Sequence, residues 1–210
     1  MKNIGFSGRK GSGKDTMGRY FLKSFPNAIQ ISFAGELKNE AQQFLDKIRE
    51  GFDEKPDDMN IEIYERLKEI ALKTKDEKVS SHSKNMTTVL QIYGTEYRRS
   101  NNPNYWVEKV ERIIKQNPEK TYCITDARFL NELEMLYDNN CFLVKLQVEP
   151  EEQLSRLAFR DGEVPDLEQN NHISENEFEE FNHFDYIINS TNKTSQETFY
   201  EILKKYREDI

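Results

Sequence analysis

The chain predicts an α/β fold, a parallel sheet with helices on both faces, and three observations lead there. Short apolar runs alternate with amphipathic stretches along nearly all of the 210 residues, the pattern that places crossover helices on a sheet. The first run, Lys2–Ser7, opens into a glycine-rich turn followed at once by a helical stretch. Thr121–Asp126 reads as a buried, parallel-type strand that ends in a polar residue, and functional loops gather at such carboxyl ends.

The elements follow in order. A helix is expected from about Lys14 to Ser24, stopped by Pro26, then a strand over Ala28–Phe33. Glu36–Arg49 sets Leu37, Ala41, Phe44, Leu45 and Ile48 on one helical face. Residues 50–84 are charge-rich and weakly periodic, with an amphipathic helix over Met59–Leu72 and a polar loop over Lys73–Lys84. This is the expected mobile insertion. Helices are predicted over Thr87–Gly94, with Gly94 as C-cap, and over Tyr105–Gln116. Helix Asn131–Asn139, strand Phe142–Val148, helix Glu151–Arg160, strand Asp185–Asn189 and helix Ser195–Arg207 complete a single domain, 1–210.

Composition narrows the partners. The net charge of −8 disfavours a polynucleotide backbone, which needs clustered Lys and Arg. No run approaches the ~18 apolar residues of a membrane span, and no basic-then-apolar leader opens the chain. No membrane partner and a cytoplasmic location (a host cytoplasm if the source is viral) are therefore expected. Cys123 and Cys141 lack C-x-x-C or His spacing and read as small buried hydrophobes.

Chemistry starts at Gly8-Arg9-Lys10-Gly11-Ser12-Gly13-Lys14-Asp15-Thr16, a G-x-x-x-x-G-K loop between strand and helix. Gly8, Gly11 and Gly13 let backbone N–H groups turn inward onto phosphate oxygens without a Cβ clash. The helix start adds unpaired N–H groups and a positive dipole end. Lys14 supplies a point charge for the β- and γ-phosphates of ATP. Thr16 is expected on a phosphate oxygen. Asp15 carries three open readings: a water-mediated Mg²⁺ ligand, an acceptor-orienting group, or an acidic first-turn residue complementing the dipole. The G-K-x-T ending is similar to that of the nucleoside monophosphate kinase group of P-loop proteins.

Three further stretches mix polar and apolar groups densely: Leu90-Gln91-Ile92-Tyr93-Gly94-Thr95-Glu96-Tyr97-Arg98-Arg99 leading to Tyr105-Trp106, Ile124-Thr125-Asp126-Ala127-Arg128 with Glu132, and His172-Ile173-Ser174-Glu175 with Asp185-Tyr186-Ile187-Ile188-Asn189. At a strand's carboxyl end, Asp126 suits a water-bridged Mg²⁺. Arg128 suits a phosphate, because its planar fork binds oxygens bidentately. Glu132 is placed to hold that guanidinium. The other reading is an Asp–Arg–Glu network that only closes a loop.

In joint order these segments resemble the bacteriophage-type deoxynucleoside monophosphate kinases, from Met1 to the last helix, with residues 50–84 uninformed. The resemblance implies a P-loop NTPase fold with a helical acceptor-binding region near 36–105 and a small lid near 151–172. It implies ATP and Mg²⁺, a deoxynucleoside monophosphate acceptor and a homodimer. It assigns Asp126, Arg128 and Glu132 to orienting the acceptor. It also makes Arg99, with Arg98 beside it, the cations for the acceptor phosphate, within the Gly94-Thr95 segment. An arginine often found four residues before the Gln is Thr87 here, which shifts part of that task to Arg98 or Lys38. Trp106 reads equally as core or, by the resemblance, as a stacking face for the base. Arg156 and Arg160, at i and i+4 on one helical face, read as lid arginines or as salt-bridge partners of Glu152 and Asp161. Asn189 and Asn192 line an adenine pocket or form a plain turn. Competing readings are a kinase of dephospho-coenzyme A or phosphomevalonate type, a non-catalytic ATP-binding regulatory module, and a polynucleotide 5′-kinase, for which the charge offers no basic track.

Overall fold

The computed structural model of the chain describes residues 1–52, 54–81, 83–161 and 177–210. They form two compact units, Met1–Ser32 with Glu111–Ile210, and Phe33–Val110.

The first unit is built on five parallel strands: β1 (Ile4–Ser7), β2 (Ala28–Ile31), β3 (Thr121–Ile124), β4 (Phe142–Gln147) and β5 (Tyr186–Asn189). Their order across the sheet is β2-β3-β1-β4-β5. Central β1 pairs Ile4 and Gly5 with Cys123 and Ile124 on one side and runs beside Phe142–Lys145 on the other. Every residue of β1 and β3 is buried, as parallel strands covered on both faces must be. Three helices of this unit were expected nearly where they lie: α1 (Lys14–Ser24), α6 (Leu130–Asp138) and α7 (Pro150–Asp161). The last, α8 (Ser195–Asp209), is opened by a capping box in which Thr194 and Glu197 satisfy each other's N–H groups. Met17 and Phe21 of α1 and Phe199, Ile202 and Tyr206 of α8 pack onto Ile4, Phe6, Phe142, Val144, Leu146 and Ile188. A short 3-10 turn spans Glu177–Glu180.

The second unit holds α2 (Phe33–Arg49), α3 (Ile61–Lys73), α4 (Lys84–Gln91), a π-helical turn over Ile92–Arg99 and the start of α5 (Tyr105–Gln116). Residues 50–84 carry α3, whose Tyr64, Leu67 and Ala71 join Leu45, Met86, Val89 and Trp106 in one apolar cluster. Gly94 does not cap a helix. It lies inside the π-turn, where a Cβ would stand 2.8 Å from Leu37 Cδ2, so the missing side chain serves close packing.

Gly18 of α1 has a similar role under β3, since a Cβ there would meet Thr125 Cγ2 at 2.3 Å. Thr125 is buried and its Oγ1 accepts from Gln30 Nε2 at 3.5 Å, which resists rotation. Alanine gains roughly 1 kcal/mol of helix propensity over glycine, but forced overpacking costs about 1–3 kcal/mol. An approach of 2.3 Å takes the upper end of that cost, so Gly18→Ala is expected to lower urea-denaturation stability by about 2 kcal/mol net. An unchanged midpoint would show that the α1–β3 contact is looser than drawn.

Candidate functional site

At the carboxyl end of β1 the chain turns through residues 8–13 into α1. Gly8, Gly11 and Gly13 have φ of 142, 83 and 100°, in the region that favours glycine. At Gly8 no other residue fits, because a Cβ would lie 2.3 Å from the Leu146 carbonyl oxygen of β4. The loop closes with Ser12 N–H donating to Arg9 O at 3.1 Å. It is also gripped from outside: Gln153 Nε2 of α7 donates to Lys10 O at 2.7 Å, and Leu157 lies against Gly11. Lys14 is buried, with Nζ donating to Gly8 O at 2.5 Å and to Arg9 O at 2.9 Å.

Two features fit this loop to a polyphosphate. Ser12 Oγ is buried with no hydrogen-bond partner, a condition that costs stability unless a ligand answers it. In addition, α1 starts at the loop with no side-chain cap on its N–H groups, the ready-made anion site of a helix N-terminus.

The loop opens onto a cleft of ≈ 780 Å³ within the first unit, lined by Lys10, Gly11, Gly13–Thr16, Arg19, Thr125, Asp126, Arg128, Glu152, Arg156, Leu157, Phe159 and Lys193–Ser195. The structure thus brings Lys14, Asp15, Thr16, Asp126, Arg128 and Arg156 to one cavity. Strand β3 ends at Ile124, two residues earlier than expected, which puts Asp126 and Arg128 in the loop to α6. Ser7 Oγ pins that loop by donating to Ala127 O at 2.9 Å. Glu132 was expected to hold the Arg128 guanidinium. Its buried Oε2 accepts the backbone N–H groups of Arg128 at 2.9 Å and Phe129 at 3.2 Å, so it holds the loop as the capping group of α6.

Of the two readings of Arg156, the salt bridge to Glu152 is the arrangement present. Its Nε and Nη2 donate to Glu152 Oε1 at 3.0 and 2.5 Å, while Nη1 and Nη2 reach Ser190 Oγ and O. Glu152 Oε2 also accepts Asn192 N–H at 2.9 Å. That backbone bond, and then Arg156, hold the carboxyl below the usual carboxylate range. The side chain of Arg160 and the His172–Glu175 segment lie outside the described residues. Asn189 was expected in an adenine pocket. Its Oδ1 accepts Thr191 N–H at 2.9 Å, a turn contact, and it lines a separate ≈ 240 Å³ hollow with Arg9 and Ser12.

Sequence reasoning missed Lys10, Arg19 and Lys193 in the cleft. As single long cations on exposed or loop positions they carry no spacing signal. Only Arg19, three residues beyond Thr16 on α1, could have been found by helical geometry.

The acceptor-side residues of the second unit are placed within it as follows. Thr95 is exposed and Arg99 half-buried on the π-turn. Lys38 lines a ≈ 490 Å³ hollow with Asn39, Gln42, Asp46 and Arg49. Trp106 is 1% exposed, with Nε1 donating to Gly94 O at 3.3 Å. Its indole is core, and no face is open for a base to stack on. Arg98 was expected at the acceptor phosphate, but its guanidinium is taken into a cluster. Nε donates to Glu40 Oε1 at 2.7 Å, and the ring centroids of Tyr97 and Tyr105 lie 4.3 and 4.6 Å from its carbon. Glu40 also accepts from Tyr93 Oη, Tyr105 Oη and Lys109 Nζ at 3.0, 2.9 and 2.6 Å. Burial pushes the Tyr105 hydroxyl up to about 12, with Glu40 adding to it, and it stays a donor at neutral pH.

A central parallel strand, a glycine loop with buried lysine at its carboxyl end and a helix starting at that lysine make this an α/β fold of the P-loop NTPase type. No family model and no curated protein matches the sequence. Among solved structures the chain is similar to TT1252 from Thermus thermophilus, at 15% identity and TM-score 0.54, covering 100% of this chain and 99% of that one. It is similar too to an uncharacterized protein from Eubacterium ventriosum, at 12% identity and TM-score 0.51 over 100% and 99%. A dephospho-CoA kinase from Campylobacter jejuni aligns at 15% identity and TM-score 0.49 over 99% and 97%. The first two share the fold. Among the described residues no helix is long and apolar enough to cross a membrane.

Proposed function

We propose that this chain is an ATP-dependent kinase of a small phosphorylated acceptor, and that the acceptor is a deoxynucleoside monophosphate. One observation carries the kinase reading: a chain of net charge −8 places Lys10, Lys14, Arg19, Arg128, Arg156 and Lys193 around one cleft at the glycine loop. Holding a triphosphate alone needs the loop and its lysine, whereas moving charge between two anions needs further cations. The acceptor assignment rests on the ordered segments around Gly94-Thr95-Glu96, Asp126-x-Arg128 and His172–Glu175.

In this reading Lys14 leaves the Gly8 and Arg9 carbonyls and follows the β- and γ-phosphates, while Ser12 Oγ and Thr16 Oγ1 answer phosphate oxygens. Arg128, set in a loop fixed by Glu132 and Ser7, presents its fork to the acceptor phosphate. That phosphate is already ionised at neutral pH, so no strong base is required and positioning dominates. Among the described residues no three His, Cys, Asp or Glu side chains gather as a metal-holding group. Asp15 and Asp126 both line the cleft and fit Mg²⁺ that arrives with the phosphates, an ion commonly held by one or two carboxylates. When bound it would neutralise the charge that builds on the transferring group.

The test is coupled ADP release with each deoxy- and ribonucleoside monophosphate and with dephospho-coenzyme A. Release stimulated by deoxynucleoside monophosphates is expected. Stimulation by dephospho-coenzyme A alone, or by ribonucleotides alone, would overturn the acceptor. Binding of ATP with no acceptor-dependent release would overturn the kinase.

A further inference from the structure

Thr16 behaves unlike four other threonines that lie in or at the ends of this chain's helices. Thr74, Thr87, Thr88 and Thr198 each donate the hydroxyl hydrogen to the carbonyl four residues back, at 2.7, 3.0, 3.0 and 3.0 Å. That is the ordinary resting place of such a hydroxyl in a helix. Thr16 makes no such bond. Its Oγ1 accepts from Arg19 Nη2 at 3.1 Å, and the carbonyl four residues back, Ser12 O, faces Ser190 Oγ at 3.5 Å instead. A hydroxyl has one hydrogen and two lone pairs. With a lone pair engaged by a cation and no protein acceptor for the hydrogen among the described residues, that hydrogen is left for something in the cleft. Both side chains line the cleft, and Arg19 is otherwise exposed on α1.

We infer that Arg19 is a positioning residue of the phosphate site: it holds Thr16 in the rotamer that offers its O–H to a phosphate oxygen, and adds a mobile positive charge beside that oxygen. The inference rests on the phosphate-binding reading of the glycine loop and goes beyond it, because Arg19 lies outside the G-x-x-x-x-G-K-x-T pattern. Its ligand class is any polyphosphate chain, with or without a base.

The probe is therefore twofold, MgATP and inorganic tripolyphosphate, each titrated calorimetrically against wild type, Arg19→Ala, Arg19→Lys, Thr16→Ala and the double variant Arg19→Ala/Thr16→Ala. Arg19→Ala is expected to weaken both ligands about tenfold, as losing a charge-assisted hydrogen bond does, with no change in Tm because the side chain is exposed. Arg19→Lys should recover part of the affinity. Once Thr16 is alanine, removing Arg19 should cost at most about threefold, since only the charge remains to be lost. Equal losses in both backgrounds, or an Arg19→Ala protein that binds within twofold of wild type, would overturn the role of Arg19 and leave the glycine loop standing. Wild-type protein that binds neither ligand would overturn both.

Discussion

Lys14→Ala is expected to lower kcat by on the order of 10³ while the protein stays folded. The magnitude follows from the loss of one preorganised donor aimed at developing charge, which is worth ~10²–10³ in other sites. Here Lys14 is also the cation buried within the loop itself, so the upper end applies. Two of its hydrogen bonds go to the Gly8 and Arg9 carbonyls, and Lys14 itself lines the open cleft, from which water can take its place. The stability change should therefore stay near 1 kcal/mol. Lys14→Arg should not rescue, because a planar fork cannot fill the place of a compact ammonium between two carbonyls. Steady-state kinetics with saturating ATP, beside a thermal melt, checks both halves. A Lys14→Ala enzyme within tenfold of wild type would remove the loop from the chemistry.

The largest stability effect is expected at Glu40→Ala. Glu40 gathers Arg98, Lys109, Tyr93 and Tyr105, and its side chain and that of Arg98 are only 13% and 19% exposed. Removing the carboxylate leaves the guanidinium and the ammonium facing each other without compensation, a situation that costs ~3–5 kcal/mol in buried pairs. Because water still reaches the rim, about 3 kcal/mol is expected from urea denaturation. The pH dependence has a definite sign. Burial works to raise the Glu40 pKa, but the bonds from Lys109 and Tyr105 and the charge of Arg98 prevail and hold it below the ordinary 4.5. A carboxyl lowered on folding stabilises above its unfolded value, and the gain is lost as pH falls through the folded one. The advantage of wild type over Glu40→Gln should be full at pH 7 and shrink below about 4.5. An advantage that grew on acidification would contradict the cluster.

What was legible in the sequence was legible for physical reasons. The glycine loop shows because only glycine takes positive φ beside the Leu146 carbonyl. The strands show because parallel strands are apolar on both faces. The π-turn over Ile92–Arg99 did not show, since a single widened turn leaves no period to read, and Gly94 was accordingly mistaken for a cap. Arg98 looked like a phosphate cation because its partner Glu40 lies 58 positions away, beyond any local rule. Glu132 had the right spacing for the Arg128 segment, but its bonds to the backbone N–H groups of Arg128 and Phe129 did not show, because side-chain pairing rules do not announce a backbone target. Lys10 and Lys193 carry no pattern that separates them from solvated surface charge, and only the fold brings them to the cleft.

The central claim is that the cleft at Gly8–Thr16 moves a phosphoryl group from ATP to a second phosphate. Phosphorus NMR of the protein with MgATP and a deoxynucleoside monophosphate tests it most directly. The account predicts that the acceptor's single resonance is replaced by the paired doublets of a diphosphate as ADP appears. ATP consumed with only inorganic phosphate formed, or an acceptor resonance that never changes, would contradict it.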